Sequence, residues 1–143
     1  MKKSVVFRIA VAIGFFVLAI ALFVIFGAEI IDTTKTFSIE NITKIELTDG
    51  NNGSIVDIID QDQIQSLIQP FNNNEFRRGE SSTNYTGWRY RLNFYQGNAI
   101  TTQIIVNSTE RIDFEGRFYD IKDGSIDVEQ YKELLSTSTE LSS

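Results

Sequence analysis

The chain has 143 residues, 19 of them acidic and 13 basic, and contains neither Cys nor His. That length suits one folded core rather than two. Without Cys there is no disulfide, lipoprotein processing, thiol catalysis or iron–sulfur ligation, and without His the commonest general base and most zinc sites are gone.

Lys2, Lys3 and Arg8 precede an uninterrupted apolar run from Ile9 to Ala28, closed by Glu29. Its twenty residues would span about 30 Å as a helix, the thickness of a hydrocarbon core. Thirteen of them are Ile, Val, Leu or Phe, each favouring insertion by about 0.3–0.6 kcal/mol. A cleaved signal peptide is the alternative. Its apolar core would be shorter, and the only candidate junction here, Phe26-Gly27-Ala28, places a bulky ring where a small residue is expected. An uncleaved anchor over 9–28 is the favoured expectation. Positive charge flanks the run only on its N-terminal side, so residues 1–8 are expected in the cytoplasm and the remainder outside the cell membrane. Ala10 and Gly14 form one small-x-x-x-small pair, too common by chance to argue for dimerisation.

Past residue 28 the balance is 10 basic against 19 acidic residues, a formal charge of −9. Such a field disfavours nucleic acid and a second contact with anionic lipid. Disulfide-free export fits a Gram-positive surface, where the sequons at Asn41, Asn84 and Asn107 carry no meaning.

Residues 29–41 read as a polar stalk. In the next segment Ile45 and Leu47, then Val56 and Ile58, alternate with their neighbours on either side of the turn Asp49 to Ser54, which predicts a β-hairpin. Ile64, Leu67, Ile68 and Phe71 form one helical stripe behind an Asp60 cap, and Pro70 limits that helix to about ten residues. Asn72 to Thr86 reads as a long loop with room for an edge strand around Glu75 to Arg78.

Trp88, Tyr90, Leu92 and Phe94 then alternate with Arg89, Arg91 and Asn93, and Ile100, Ile104 and Val106 follow after a Gln96-Gly97-Asn98 turn. Strands at Arg111 to Phe114 and Arg117 to Ile121 flank a Glu115-Gly116 turn and would place Ile112, Phe114, Tyr119 and Ile121 on one face. Asp127 caps a last helix carrying Val128, Tyr131, Leu134 and Leu135, and the polar tail 136–143 is expected to be disordered. The expectation is an α+β fold: a two-layer domain over 42–135, ordered ββαββββα, with an antiparallel meander and both helices on one face.

The series "IELTDGNNGSIVDI", "YTGWRYRLNFY", "RIDFEGRFYDI" and "DGSIDVEQYKELL" resembles a family of small extracytoplasmic domains of unknown function from Gram-positive bacteria. The resemblance covers most of Ile45 to Leu135. It implies the same order of elements and the same location, and it carries over no catalytic residue.

What chemistry remains is that of carboxylates. Asp57, Asp60 and Asp62 cluster where strand meets helix, but helix capping and solvation account for them. The turn Asp49 to Ser54 lacks the spacing of a calcium loop. No catalytic residue, metal site or cofactor is expected. The candidate contact residues are aromatic and basic: Tyr85, Arg89, Arg91 and Tyr95, with Arg77 and Arg78 nearby in sequence. Alternation sends Trp88 and Tyr90 to the core and Arg89 and Arg91 to the open sheet face, where Arg can grip carboxylates bidentately. The competing view pairs those arginines with cross-strand acids such as Asp113 or Glu115.

The reading these residues favour is a membrane-anchored, non-catalytic interaction module with a protein or cell-wall partner. The alternatives are a self-protection or inhibitory factor against a secreted toxin and, in another class, a carboxylate-based wall-glycan hydrolase built from Asp57, Asp60, Asp113 and Glu115.

Overall fold

The computed structural model describes residues 34–140 together with 16–18 and 21. The chain divides into two units, Met1–Thr33 and Thr34–Ser143. In the first, residues 16–18 and 21 are helical. The span expected over 9–28 otherwise lies outside the described residues, as do segment 1–8, stalk residues 29–33 and tail residues 141–143. Among the described residues no helix is long and apolar enough to cross a membrane.

The second unit is an α+β fold with an eight-stranded antiparallel sheet. In chain order it runs β1 (Thr34–Lys35), β2 (Lys44–Asp49), β3 (Ile55–Ile58), α1 (Gln61–Asn72), β4 (Phe76–Ser81), β5 (Tyr90–Gln96), β6 (Ala99–Val106), β7 (Arg111–Phe114), β8 (Arg117–Ile121) and α2 (Val128–Glu140). In space the strands are ordered β1-β4-β8-β7-β6-β5-β2-β3.

Local signals act where they were expected. β2 and β3 pair with Leu47 opposite Val56 and Ile45 opposite Ile58. Asp60 accepts the Gln63 N–H at 2.9 Å, and its side chain thereby satisfies one of the free donors at the start of α1. Asp127 does the same for Glu129 and Gln130 at the start of α2. Glu115 and Gly116 both take positive φ, 51° and 73°, which is the twist a two-residue hairpin needs.

Four expectations are corrected. The sheet is not a simple meander, because α1 carries the chain from β3 at one edge to β4, a full six-residue strand beside β8 near the other edge. The stalk 29–41 is folded where it is described: Thr34 and Lys35 pair with β4, and Phe37 and Ile39 are buried. Asn72 holds that segment, since its side chain accepts from the Ile39 N–H and donates to the Ile39 carbonyl, both at 2.9 Å. Pro70 lies inside α1, which runs to Asn72; so near the C-terminal end its missing N–H removes only one late hydrogen bond. α2 continues through residues 136–140 of the polar tail.

Two side chains also change face. Trp88 is half-buried and precedes β5 instead of joining the core. Ile100 is 52% exposed because the β5–β6 register shifts between Phe94 and Tyr95, placing Ile100 opposite Tyr95 on the outer face. One extra residue in a strand reverses the inside–outside parity of everything beyond it.

The core lies between the sheet and the two helices. Ile64, Leu67, Ile68 and Phe71 of α1 and Val128, Tyr131 and Leu135 of α2 join Ile45, Leu47, Tyr90, Leu92, Phe94, Ile104, Val106 and Ile112 in one apolar cluster. Both helices of this unit therefore cover the same face, and among residues 34–140 the opposite face carries no helix.

Burial lifts the Tyr131 phenol well above its ordinary value, with the negative charge of Asp127 adding to the effect. The fold holds the neutral form, so this contribution is intact below the unfolded pKa of about 10 and is lost as pH rises from there towards the raised folded value. The expected result is a fall in stability of about 1.4 kcal/mol for each pH unit in that window. Denaturant midpoints measured above pH 10 check it: Tyr131→Phe flattens the alkaline decline, whereas an unchanged slope would refute the assignment.

Candidate functional site on the open sheet face

Alternation decides what the uncovered face displays. Tyr90, Leu92 and Phe94 point into the core, so Arg91, Asn93 and Tyr95 stand on the other side. Their cross-strand neighbours are known from the register. Arg91 lies between Thr48 and Ile105, Asn93 between Glu46 and Gln103, and Tyr95 between Lys44 and Ile100.

Each of these rows has a different character. In the row of Tyr95, Lys44 binds Asp57 at 3.1 Å and lies 4.3 Å from the Tyr95 ring centre. The hydrogen bond that Lys44 donates to Asp57, more than the carboxylate's charge, raises the Lys44 pKa. In the middle row, Asn93 donates to Glu46 at 2.8 Å and accepts from Gln103 at 2.7 Å, a polar rail across three strands. These two rows satisfy themselves.

The row of Arg91 does not. The Arg91 guanidinium stacks over Trp88 at 4.7 Å, and that of Arg89 lies 5.4 Å from the Tyr90 ring centre. Among the described residues neither arginine has a carboxylate within ion-pair distance. Asp113 stands two strands from Arg91, beyond β6, and Glu115 occupies the β7–β8 turn. The cross-strand pairing that competed with a contact role is therefore not made.

Four buried side-chain atoms lack a hydrogen-bond partner among the described residues: Thr48 Oγ1, Ser82 Oγ, Arg91 Nε and Asn107 Nδ2. Thr48 and Arg91 are cross-strand partners, Asn107 follows the last residue of β6, and Ser82 stands at the root of the loop between β4 and β5. A buried polar group left unpaired costs about 1–3 kcal/mol. That cost is concentrated at this end of the sheet.

The loop 82–89 folds over the same end. Ser82 donates its N–H to Gly116 O, and the Tyr85 ring meets Phe118 edge-on at 5.2 Å. Phe118 is buried although it lies on the outer face, opposite Asp113. Beside it Arg111 grips Asp120 through two bonds of 2.6 and 3.1 Å, and this hydrogen-bonded carboxylate raises the arginine's pKa. Across the loop the Gly50 N–H donates to Arg89 O at 2.7 Å. Between these pieces is a cavity of about 320 Å³ lined by Asn51, Tyr85, Gly87, Trp88, Arg89 and Asn107.

Of the six candidate contact residues, the structure brings Tyr85 and Arg89 to this cavity and sets Arg91 beneath Trp88. Tyr95 shares the face but stands four residues along β5 from Arg91, about 13 Å. Arg77 and Arg78 are exposed on β4, four strand spacings or about 19 Å from β5. Asn51, Asn107 and Thr48 were missed as site residues. Period-2 alternation from Val106 already puts Asn107 on the outer face, but no local signal places Asn51 beside β5.

The acids invoked for hydrolysis are spread along the sheet, since Asp57 on β3 and Asp113 on β7 are four strand spacings, about 19 Å, apart. Asp57 is held by Lys44 and Asp60 by its capping bond. A larger groove of about 430 Å³ runs beside the edge strand β3, lined by Val56, Ile58 and Leu134 with Asp57 and Glu133. Its polar rim has no unpaired cation, so size alone does not recommend it. Among the described residues no three acids stand close enough to hold a metal ion. No family model, curated protein or solved structure matches the chain.

Proposed function

We propose that this protein is a non-catalytic interaction module, tethered to the cell membrane by residues 9–28 with its N-terminus cytoplasmic, and displaying the α+β domain outside. It engages a protein or cell-wall partner through the end of the open sheet face that carries Arg89 and Arg91. One observation carries the reading: two arginines that make no ion pair among the described residues stand beside Trp88 and Tyr85 on a face that neither α1 nor α2 covers. Arginine and large aromatic side chains supply most of the energy at protein interfaces. Elsewhere on the face, side chains are already engaged with one another.

Charge and tethering add support. The segment past residue 28 is strongly acidic, so an arginine pair free of counter-charge is a local exception that selects for acidic groups. Confinement to a membrane raises the effective concentration of a small domain near its partner. The resemblance to small extracytoplasmic domains agrees with this location.

The test is co-purification from native membranes after cross-linking. Arg89→Ser with Arg91→Ser is expected to remove captured partners by about tenfold or more, while Arg77→Ser with Arg78→Ser leaves them in place. Intact mass of the same preparation is expected to retain residues 1–28. An unchanged set of partners in the Arg89/Arg91 variant, with its denaturation midpoint preserved, would remove the proposed face.

A further inference from the structure

Resting on that reading of the open face, we infer that the cavity between Trp88, Arg89 and Asn107 is a binding site for a carboxylate, that of a peptide's C-terminal residue bearing an apolar side chain. The donor set points to the carboxylate. Arg89 offers a planar fork that matches two oxygens, and no ion pair occupies it among the described residues. Asn107 lines the same cavity with an amide nitrogen that has no acceptor among the described residues. Its last side-chain torsion is broad and inexpensive, so the amide is free to present either end to a ligand.

No acid lines the cavity. The nearest acid along the chain, Asp49, is engaged through one oxygen by the Asn51 N–H and side-chain amide at 2.7 and 2.9 Å. Arg91, stacked on Trp88, adds a second positive charge behind the ring. The charges lining and flanking the cavity are therefore basic, in a domain that is acidic as a whole. The surrounding negative charge disfavours a phosphate or a polyanion more than a singly charged group.

The walls specify what accompanies the carboxylate. Among mostly polar walls, the rings of Tyr85 and Trp88 supply the apolar surface that would meet one apolar side chain. A volume of about 320 Å³ is at the small end of ligand cavities, enough for one terminal residue and its neighbouring peptide unit. Gly87 leaves open space where a side chain would stand, so the rest of a peptide can leave the cavity without obstruction.

Trp88 is the only tryptophan in the chain, so in the folded protein its emission reports on the surroundings of this cavity. The experiment titrates the full chain in mild detergent with N-acetylphenylalanine and, separately, with N-acetylphenylalanine amide. The acid is expected to give a saturable change in emission, at least about tenfold weaker for the amide and for Arg89→Gln, and unaffected by Arg77→Gln. Added salt is expected to weaken the acid's binding, since the site is partly exposed. Equal responses to acid and amide, or an acid response that survives Arg89→Gln, would overturn carboxylate recognition. No saturation with either probe would overturn the cavity as a peptide site. Those failures are separate from failure of the interaction face, because membrane partners that depend on Arg89 and Arg91 would still be lost in the serine variants.

Discussion

Phe71→Ala lowers the unfolding free energy of the domain by about 3–5 kcal/mol, the range for removing a large buried ring. Phe71 is fully buried near the end of α1 and is the point where helix, sheet and the entering segment meet. Its ring meets Phe37 edge-on at 6.3 Å and Phe94 at 6.0 Å, and it stacks with Phe76 at 6.4 Å. Phe94 belongs to β5 and Phe76 to β4, on opposite sides of β6, β7 and β8 in the sheet order. Loss of the ring therefore opens a cavity that no single element can close. Domains of this size are stable by about 5–15 kcal/mol in total, so the variant is left marginal. Urea denaturation followed by Trp88 emission measures it: the midpoint falls sharply while the m-value is retained. A loss below about 1 kcal/mol would mean that α1 does not pack where the core requires it.

The reason Phe71 was readable and its partners were not shows how far one sequence reaches. The stripe Ile64, Leu67, Ile68 and Phe71 is a local pattern with one helical solution, and the cap at Asp60 marks its start. The turns at Asp49 to Ser54 and Glu115-Gly116 are equally local, because few residues tolerate their backbone angles. Strand neighbours are a different matter. Period-2 alternation tells which face a side chain takes but not which strand stands beside it. Nothing near β4 indicates that it pairs with β8, or that β2 sits between β3 and β5. Phe37 and Ile39 lie in the segment read as a polar stalk, and their burial rests on distant partners: Asn72 for the Ile39 backbone and the rings of Phe71, Phe76 and Phe114 for Phe37.

The candidate site divides along the same line. Arg89 and Arg91 were legible as a same-face pair because they alternate with the core residues Tyr90 and Leu92. Trp88 was misread by the same rule, since the regular strand begins only at Tyr90. Tyr95 follows the alternation correctly, yet it is occupied by Lys44. Arg77 and Arg78 were grouped with the others by sequence proximity, and the sheet order separates them. Asn107, with its unpartnered amide, became visible only when the register placed β6 beside β5.

Gly50→Ala is expected to disturb fold and site together. A methyl group at residue 50 would stand 2.2 Å from the Trp88 carbonyl oxygen and 2.7 Å from its ring carbon Cε3. Real Cβ atoms essentially never approach that closely, and one of the obstacles is backbone, which cannot swing aside as a side-chain tip can. The hydrogen bond from the Gly50 N–H to Arg89 O holds the two segments at this separation, so relief requires breaking it or moving Trp88. Overpacking of this kind costs about 1–3 kcal/mol, and the lost hydrogen bond adds about 1 kcal/mol. Since Trp88 walls the cavity and supports Arg91, the displacement is expected to shift Trp88 emission and to abolish the response to N-acetylphenylalanine. Gly53→Ala serves as the comparison: it strains a positive φ in the same turn but meets no atom within 4 Å, so it lowers stability while leaving the emission of Trp88 unchanged. If Gly50→Ala matches the wild type in both midpoint and emission, the close packing of the β2–β3 turn against Trp88 is wrong, and the cavity loses the wall that shapes it.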